Sequence, residues 1–403
     1  MNDDALFAHR STACVLVRLA NVDREQWETL APCFVTQAGT RGALLKRRMR
    51  TGGTTSMHIF PRLRTAYGAV TLAGLQALRD NPLVEDVGLS GSVELVRPEL
   101  ANSAVFRQTL PAKGPAPGLK LLGIPSLWQL GFTGAGVRIA HIDNGIDDDH
   151  PTIKAAVKQA VVIDGGGKAR TMPSARSDAQ HGTHTAAIIA GREHRGTMVG
   201  AVPDAMLYSA AVADDGDSVV RLVGGVEWAL KQKVRILNLS LGEHGYVDSF
   251  KYIISDMRKE KCLPVCAAGN YYEGSTMSPA NYEDAVSIGA LGKDGKVAPF
   301  SSSERMRRVK DPIVPDLVAP GVDIISAAPG GGFALASGTS MAAPHVAGLA
   351  ALLLQACPRA TVDQLEMAIF DACSTTHWLK PARAGRGVPD ALASLQRLSA
   401  IAT

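Results

Sequence analysis

The sequence predicts an α/β fold, with a mostly parallel central sheet covered by helices on both faces and a small α+β unit ahead of it. Three observations predict this. From about residue 119, apolar strand-like runs alternate with helical segments, the order that gives parallel strands with helical crossovers. Residues before 98 carry their own strand and helix pattern. Between the two, "PELANSAVFRQTLPAKGPAPG" (98–118) has four prolines and no sustained period, which reads as a linker. The domains predicted are therefore 1–97, a linker 98–118, and 119–403.

The elements follow in order. "ACVLVRLA" (13–20) reads as a strand. "TLAGLQALRDNP" (71–82) reads as a short helix with Leu72, Leu75 and Leu78 on one face, ended by Asn81-Pro82. "VEDVGLSGSVELV" (84–96) reads as a strand pair around Ser90-Gly91. The basic run "LKRRMRTGG" (45–53) is short, lacks interleaved aromatics and reads as a solvated loop. In the larger part, "GVRIAHID" (136–143), "AMLYSAAV" (205–212), "VRILNLS" (234–240), "LPVCAAG" (263–269) and "AVSIGAL" (285–291) read as strands. "SVVRLVGGVEWALKQ" (218–232) and "VDSFKYIISDMRKE" (247–260) read as helices. Ligands of such folds bind outside the carboxyl ends of the strands, so functional residues are expected there.

Composition narrows the function classes. With 403 residues, 46% hydrophobic and 20% charged, the chain is long enough for a large core. A net charge of +4 is too small to imply nucleic-acid binding. The start is acidic and broken by charges, without the basic then apolar pattern of a secretory signal. That points to a cytoplasmic protein or one exported by another route. The longest apolar run, "VAGLAALLLQAC" (346–357), is too short to span a membrane. The six cysteines read as buried small hydrophobes rather than a disulfide framework.

The candidate nucleophile is Ser340, in "SGTSMAAPHVAG" (337–348). His345 follows five residues later, a helical rotation of about 500°, so it faces away and reads as a packing histidine. A better base is His181 in "HGTHTAAIIAG" (181–191). His184 shares its face, but the spacing and missing glutamate do not fit an HExxH metal site. Asp143, at the end of an apolar strand, can orient the imidazole; Asp-Asn-Gly at 143–145 also fits a plain turn.

These three segments, in the order Asp, His, Ser, resemble the signature blocks of the subtilisin-like serine proteases. "ILNLSLG" (236–242), "PVCAAGN" (264–270), "VPDLVAPGVDIISA" (314–327) and "GRGVPDALASLQ" (385–396) extend the resemblance over nearly everything from 119 onward. It implies a three-layer subtilisin-like fold and a serine endopeptidase with Asp143, His181 and Ser340 as its triad. Asn270 would donate to the oxyanion. Ser240, Leu241 and Gly242 would pair with an extended substrate, and Ala267, Ala268 and Gly269 would wall the first specificity pocket. The small residues around Ser340 let its helix start approach the sheet, and Pro344 is expected in the first turn, where its missing N–H is harmless.

The resemblance also carries expectations about partners and cofactors. Polypeptides are the substrates. Residues 67–90 resemble an inhibitory and chaperoning propeptide, so the N-terminal domain would act as an intramolecular inhibitor and the chain would cut itself within 98–118. No cofactor is required. Calcium is the one cofactor the resemblance raises, but the loop 192–200 is shorter than the one with which many relatives help hold it; Asp147, Asp148 and Asp149 could bind a cation and read first as a solvated acidic turn. Asn144 stands where the family has a small hydroxyl residue. Glu273 and the acidic loop "ADDGDS" (213–218) raise the idea of a preference for basic substrate residues, with Glu273 read as an exposed loop glutamate.

Overall fold

The computed structural model describes residues 7, 11–35, 57–90, 94–96, 107–109, 112–171, 179–212, 218–309, 311–376 and 379–402. These fall into two compact units that divide between Ser92 and Val93. The basic run 45–53 and residues 213–217 of the acidic loop lie outside the described residues.

The first unit is an antiparallel sheet with a helix. Strand β1 (Ala13–Leu19) is buried from Val15 to Leu19, with Val15, Val17 and Leu19 in the apolar cluster of this unit. It pairs with β3 (Thr65–Val70) on one side, and β3 pairs with β2 (His58–Phe60). Helix α1 (Leu72–Arg79) begins at Thr71, whose side chain accepts the Gly74 N–H at 3.1 Å. Leu75 and Leu78 bury beside Trp27 and Leu30, as their spacing predicts. Strand β4 (Val84–Leu89) pairs with the other side of β1.

The strand pair expected over 84–96 does not form as a hairpin. Its second strand, β5 (Glu94–Leu95), belongs to the second unit and pairs there with Leu241 and Gly242. β4 stays at the edge of its own sheet, bonded only to β1, and β5 takes its partners from the segment after Ser240.

The second unit is built on an eight-stranded sheet. Its strands are β6 (Arg138–Asp143), β7 (Val157–Ile163), β8 (Ala169–Thr171), β9 (Met206–Ala211), β10 (Ile236–Leu239), β12 (Leu263–Ala267), β13 (Val286–Leu291) and β14 (Leu317–Pro320), with β11 (Leu241–His244) running on from β10 outside the sheet. The order is β8-β7-β9-β6-β10-β12-β13-β14, parallel throughout except the β8–β7 edge. Each central strand is a buried apolar run, the mark of a sheet covered on both faces.

Helices α2 (Gln180–Ala190) and α5 (Thr339–Ala356) cover one face, α3 (Ser218–Lys231) covers the other, and α4 (Lys251–Lys259) packs against β12. On α3, Gly225 comes so close to the sheet that an added Cβ would sit 3.0 Å from Val212 and 3.4 Å from Ile142. Since Ile142 faces α3, its neighbours His141 and Asp143 face α2. Helix α5 has the length and hydropathy of a membrane span, but 89% of it is buried within the unit, as a core helix is.

Two expectations need correction here. Residues 98–118 are not a bare linker: Arg107–Thr109 pairs with the strand Gly332–Ala336, Gly114–Pro115 pairs with Thr197–Met198, and a helix runs from Pro117 to Leu121. Prolines disrupt periodicity without preventing short edge pairings. Pro344 lies inside α5, not in its first turn, because the helix already starts at Thr339. Its missing N–H therefore leaves the carbonyl of Ser340 unclaimed within the helix, and the Ser240 hydroxyl donates to that oxygen at 3.2 Å.

Candidate active site

Asp143 ends β6 and is fully buried. The His181 Nδ1–H donates to it, at 2.7 Å to Oδ1 and 2.9 Å to Oδ2. The Asn144 backbone N–H donates to Oδ1 at 2.8 Å. The Thr185 hydroxyl stands 3.2 Å from Oδ2. Burial alone would push this carboxyl up, but the His181 charge and hydrogen bond, with the His141 ring close by, hold it well below the usual carboxylate range. Asp143 is thus an anion with its lone pairs directed.

His181 sits in the first turn of α2, and its position depends on a glycine. A Cβ at Gly182 would lie 1.9 Å from the Gly145 carbonyl oxygen, so the helix start can rest against the β6 turn only without one. Asn144 completes the joint: its Oδ1 accepts the Gly182 N–H at 3.0 Å. The departure from a small hydroxyl residue therefore ties strand end to helix start. Nε2 of His181 is buried with no hydrogen-bond partner. With Nδ1 donating to the carboxylate, Nε2 is left as the basic nitrogen.

The other histidines do different work. His184 donates from Nε2 to the carbonyls of Ile324 and Ala334, both at 3.1 Å, and burial lowers its pKa to about 3. His345 donates from Nδ1 to the Met341 carbonyl at 2.8 Å, and burial lowers its pKa to about 4. His345 is the packing histidine expected. Asp147 is not the solvated residue expected: it is buried, and Oδ2 accepts the Gly330 N–H at 2.8 Å. The Ile146-Asp147 turn folds inward against α2, where the Thr183 hydroxyl accepts the Asp147 N–H at 2.9 Å. Asp149 is exposed and pairs with Lys154 at 2.8 Å.

Asn270 follows β12. Its Oδ1 accepts the Thr339 N–H at 2.9 Å and the Thr339 hydroxyl at 3.0 Å. A backbone N–H can only donate, so these bonds fix which end of the amide is oxygen. Thr339 also accepts the Gly269 N–H at 3.1 Å, joining the segment 267–269 to the start of α5. Gly269 has φ +106°, a conformation that favours glycine.

Ser340 is fully buried at the second position of α5. Its hydroxyl donates to the carbonyl oxygen of Val96 at 2.5 Å. Val96 in turn donates its N–H to the Ser240 carbonyl at 3.0 Å, and Leu95 and Glu94 pair antiparallel with Leu241 and Gly242. Val96 is 1% exposed and belongs to one buried apolar cluster with Ala267 and Met277. The extended segment paired with residues 240–242 is 94–96 of this same chain. Gly242 cannot carry a side chain, since a Cβ would lie 2.1 Å from the Ser278 carbonyl oxygen.

Beside this segment, the Tyr271 hydroxyl donates to the Glu94 carboxylate at 2.5 Å, and the His244 ring meets Tyr271 edge-on at 4.5 Å. Glu273 is exposed and lies 4.0 Å from Arg383. The residues that sequence reasoning missed are His141, Thr185, Tyr271 and Glu94–Val96. Period-2 alternation puts His141 on the face of Asp143, and Thr185 is one helical turn after His181, so both were within reach of spacing arguments.

The class of protein that this fold and constellation define is matched by a family description, Subtilase family, over residues 134–389; the chain belongs to that family. Among individual relatives, it is 34% identical over 260 residues to subtilisin E of Bacillus subtilis (strain 168), spanning 62% of this chain and 63% of that protein. It is 34% identical over 260 residues to a subtilisin of Bacillus pumilus, 62% of this chain and 87% of the relative. It is 32% identical over 246 residues to the major intracellular serine protease of Bacillus subtilis (strain 168), 59% and 74% of the two chains. The chain therefore spans less than two thirds of subtilisin E.

Proposed function

We propose that the chain is a serine endopeptidase whose triad is Asp143, His181 and Ser340, and that it is made latent and cuts itself between Val96 and Arg97. The observation that carries this is the hydroxyl of Ser340 against the carbonyl of Val96, with the Val96 N–H on Ser240. A backbone carbonyl at the nucleophile, on a strand bonded to the substrate edge, is a substrate pose.

The chemistry follows from the charges. Ser340 is a weak nucleophile until His181 Nε2 takes its proton as Oγ attacks the Val96 carbonyl carbon. Asp143 stabilises the imidazolium and keeps its tautomer. The oxyanion is met by the Asn270 side-chain N–H, oriented by the two Thr339 bonds on Oδ1, and by the Ser340 N–H at the positive end of α5. The C–N bond to Arg97 breaks, and His181 returns the proton to the leaving amine. Water then hydrolyses the Val96 ester by the same route reversed. Residues 1–96 would stay as an inhibitor, with 94–96 filling the edge where polypeptide substrates bind.

Expressing the wild-type chain and Ser340→Ala tests both parts. Wild-type should yield a fragment beginning at Arg97 and take up a fluorophosphonate at Ser340, while Ser340→Ala stays at full length. A new terminus inside 98–118 would refute the bond assigned. Lack of labelling in a processed wild-type chain would favour a silent binding or chaperone module.

A further inference from the structure

The triad accounts for only part of the polar structure around Asp143. Behind the carboxylate lies a second histidine, His141, two residues earlier on β6. Its ring is fully buried. Nδ1 is 3.1 Å from the Ser209 hydroxyl on β9, and Nε2 is 2.8 Å from the Thr185 hydroxyl on α2. Nε2 is also 3.6 Å from Asp143 Oδ2. Ser209, His141 and Asn238 are neighbours in register across β9, β6 and β10. Asn238 Nδ2 donates to the Ser240 hydroxyl at 3.1 Å, and that hydroxyl reaches the Ser340 carbonyl. A polar row thus crosses an otherwise apolar sheet face, from the carboxylate to the serine.

Packing does not explain these residues. The same face is filled by Ile139 and Ile236, and a buried polar group costs stability unless it is bonded. Each hydroxyl has one proton, and that limits the pattern. Thr185 could donate to Asp143, or to the carbonyls of His181 at 3.1 Å or Gly182 at 3.2 Å. The ionised acceptor gives the stronger bond. With Thr185 donating to Oδ2, its oxygen is open to accept from His141 Nε2–H, and His141 Nδ1 accepts from Ser209. The protons then all run toward the carboxylate.

We propose that His141 is a positioning residue for the triad, holding Oδ2 of Asp143 through the Thr185 hydroxyl so that the carboxylate cannot turn away from His181. This rests on the peptidase reading of the site. The titratable groups acting on Asp143 are His181 and His141. From the packed elements, β9 contributes Ser209 and β10 contributes Asn238, both neutral, while His184 on α2 is committed to Ile324 and Ala334.

The sign of the effect is fixed. Removing a donor from Oδ2 leaves more negative charge facing His181 and favours the imidazolium, so the His181 titration midpoint rises. Thr185→Val removes the hydroxyl at nearly constant shape, Thr185→Ser keeps it, and His141→Leu removes the ring. The readout is the low-field proton NMR signal of His181 Nδ1–H against pH, recorded in a Ser340→Ala background that needs no turnover. Thr185→Val and His141→Leu should raise the midpoint by roughly 0.5–1 pH unit, and Thr185→Ser should restore it. In the active chain the acid limb of kcat/KM should move with it. An unmoved midpoint in folded Thr185→Val overturns the proposal, as does an equal shift in Thr185→Ser. Should His141→Leu fail to fold, the Thr185 pair decides. A wild-type chain that is never labelled by fluorophosphonate would sink the peptidase reading, while the titration would still report on His141.

Discussion

Replacing Tyr271 by phenylalanine should weaken selection for an acidic residue two positions before the one whose carbonyl is attacked. In the structure that position is Glu94, three residues from the proposed break, and its carboxylate accepts the Tyr271 hydroxyl at 2.5 Å. Tyr271 is 37% exposed, so the bond competes with water. A hydrogen bond in that setting contributes about 0.5–1.5 kcal/mol, which is roughly a 2- to 12-fold preference in kcat/KM. The assay uses processed enzyme and peptides of the form X-Leu-Val-Arg, with X as Glu, Gln or Lys. Wild-type should prefer Glu over Gln and Lys by that factor, and Tyr271→Phe should bring Glu and Gln together. This runs against the preference for basic residues that the acidic loops raise from sequence. Glu273, the residue behind that idea, is directed to Arg383. Wild-type selection for Lys at X, or an unchanged Glu/Gln ratio in Tyr271→Phe, would refute the reasoning.

Other outcomes follow from the same geometry. Asn270→Ala should lower kcat about 10²–10³-fold with little change in KM, measured on a peptide substrate. Gly182→Ala should lower the unfolding temperature and activity together, because its Cβ would meet the Gly145 carbonyl oxygen at 1.9 Å and neither backbone can yield cheaply. Stability should fall as pH drops from about 6.5, since His184 and His345 are buried neutral with pKa values lowered to about 3 and about 4 while the unfolded chain takes up their protons. Asp143, whose carboxyl is depressed, adds to that acid loss at lower pH, whereas Asp316, raised to about 6 by burial despite Arg308, gains stability as it protonates. Chemical denaturation from pH 8 to pH 4 reads the sum, and His345→Gln should flatten it.

Much of the second unit was legible because its elements are apolar runs with clear ends, and the residues at those ends are chemically unusual. Asp143 closes a strand, and Asn270 follows one. What was not legible depends on partners distant in sequence. A lone histidine in "RIAHID" reads as core until Thr185 and Ser209 are found against it. Asp147 looks solvated among three aspartates until Gly330, 183 residues later, is bonded to it. Strand β5 reads as half of a hairpin because sequence distance favours β4, yet its backbone partners are Leu241 and Gly242, far along the chain. Pro344 reads as a helix-start proline, and only the start at Thr339 shows otherwise.

That proline has a mechanical consequence. By denying the Ser340 carbonyl its usual helical bond, it hands that oxygen to Ser240, whose own carbonyl holds Val96. The start of α5, with the proposed nucleophile, and the edge that holds Val96 are thereby bolted together. Under the proposed reaction, a guest chain that seats poorly along that edge would tug on Ser340 itself.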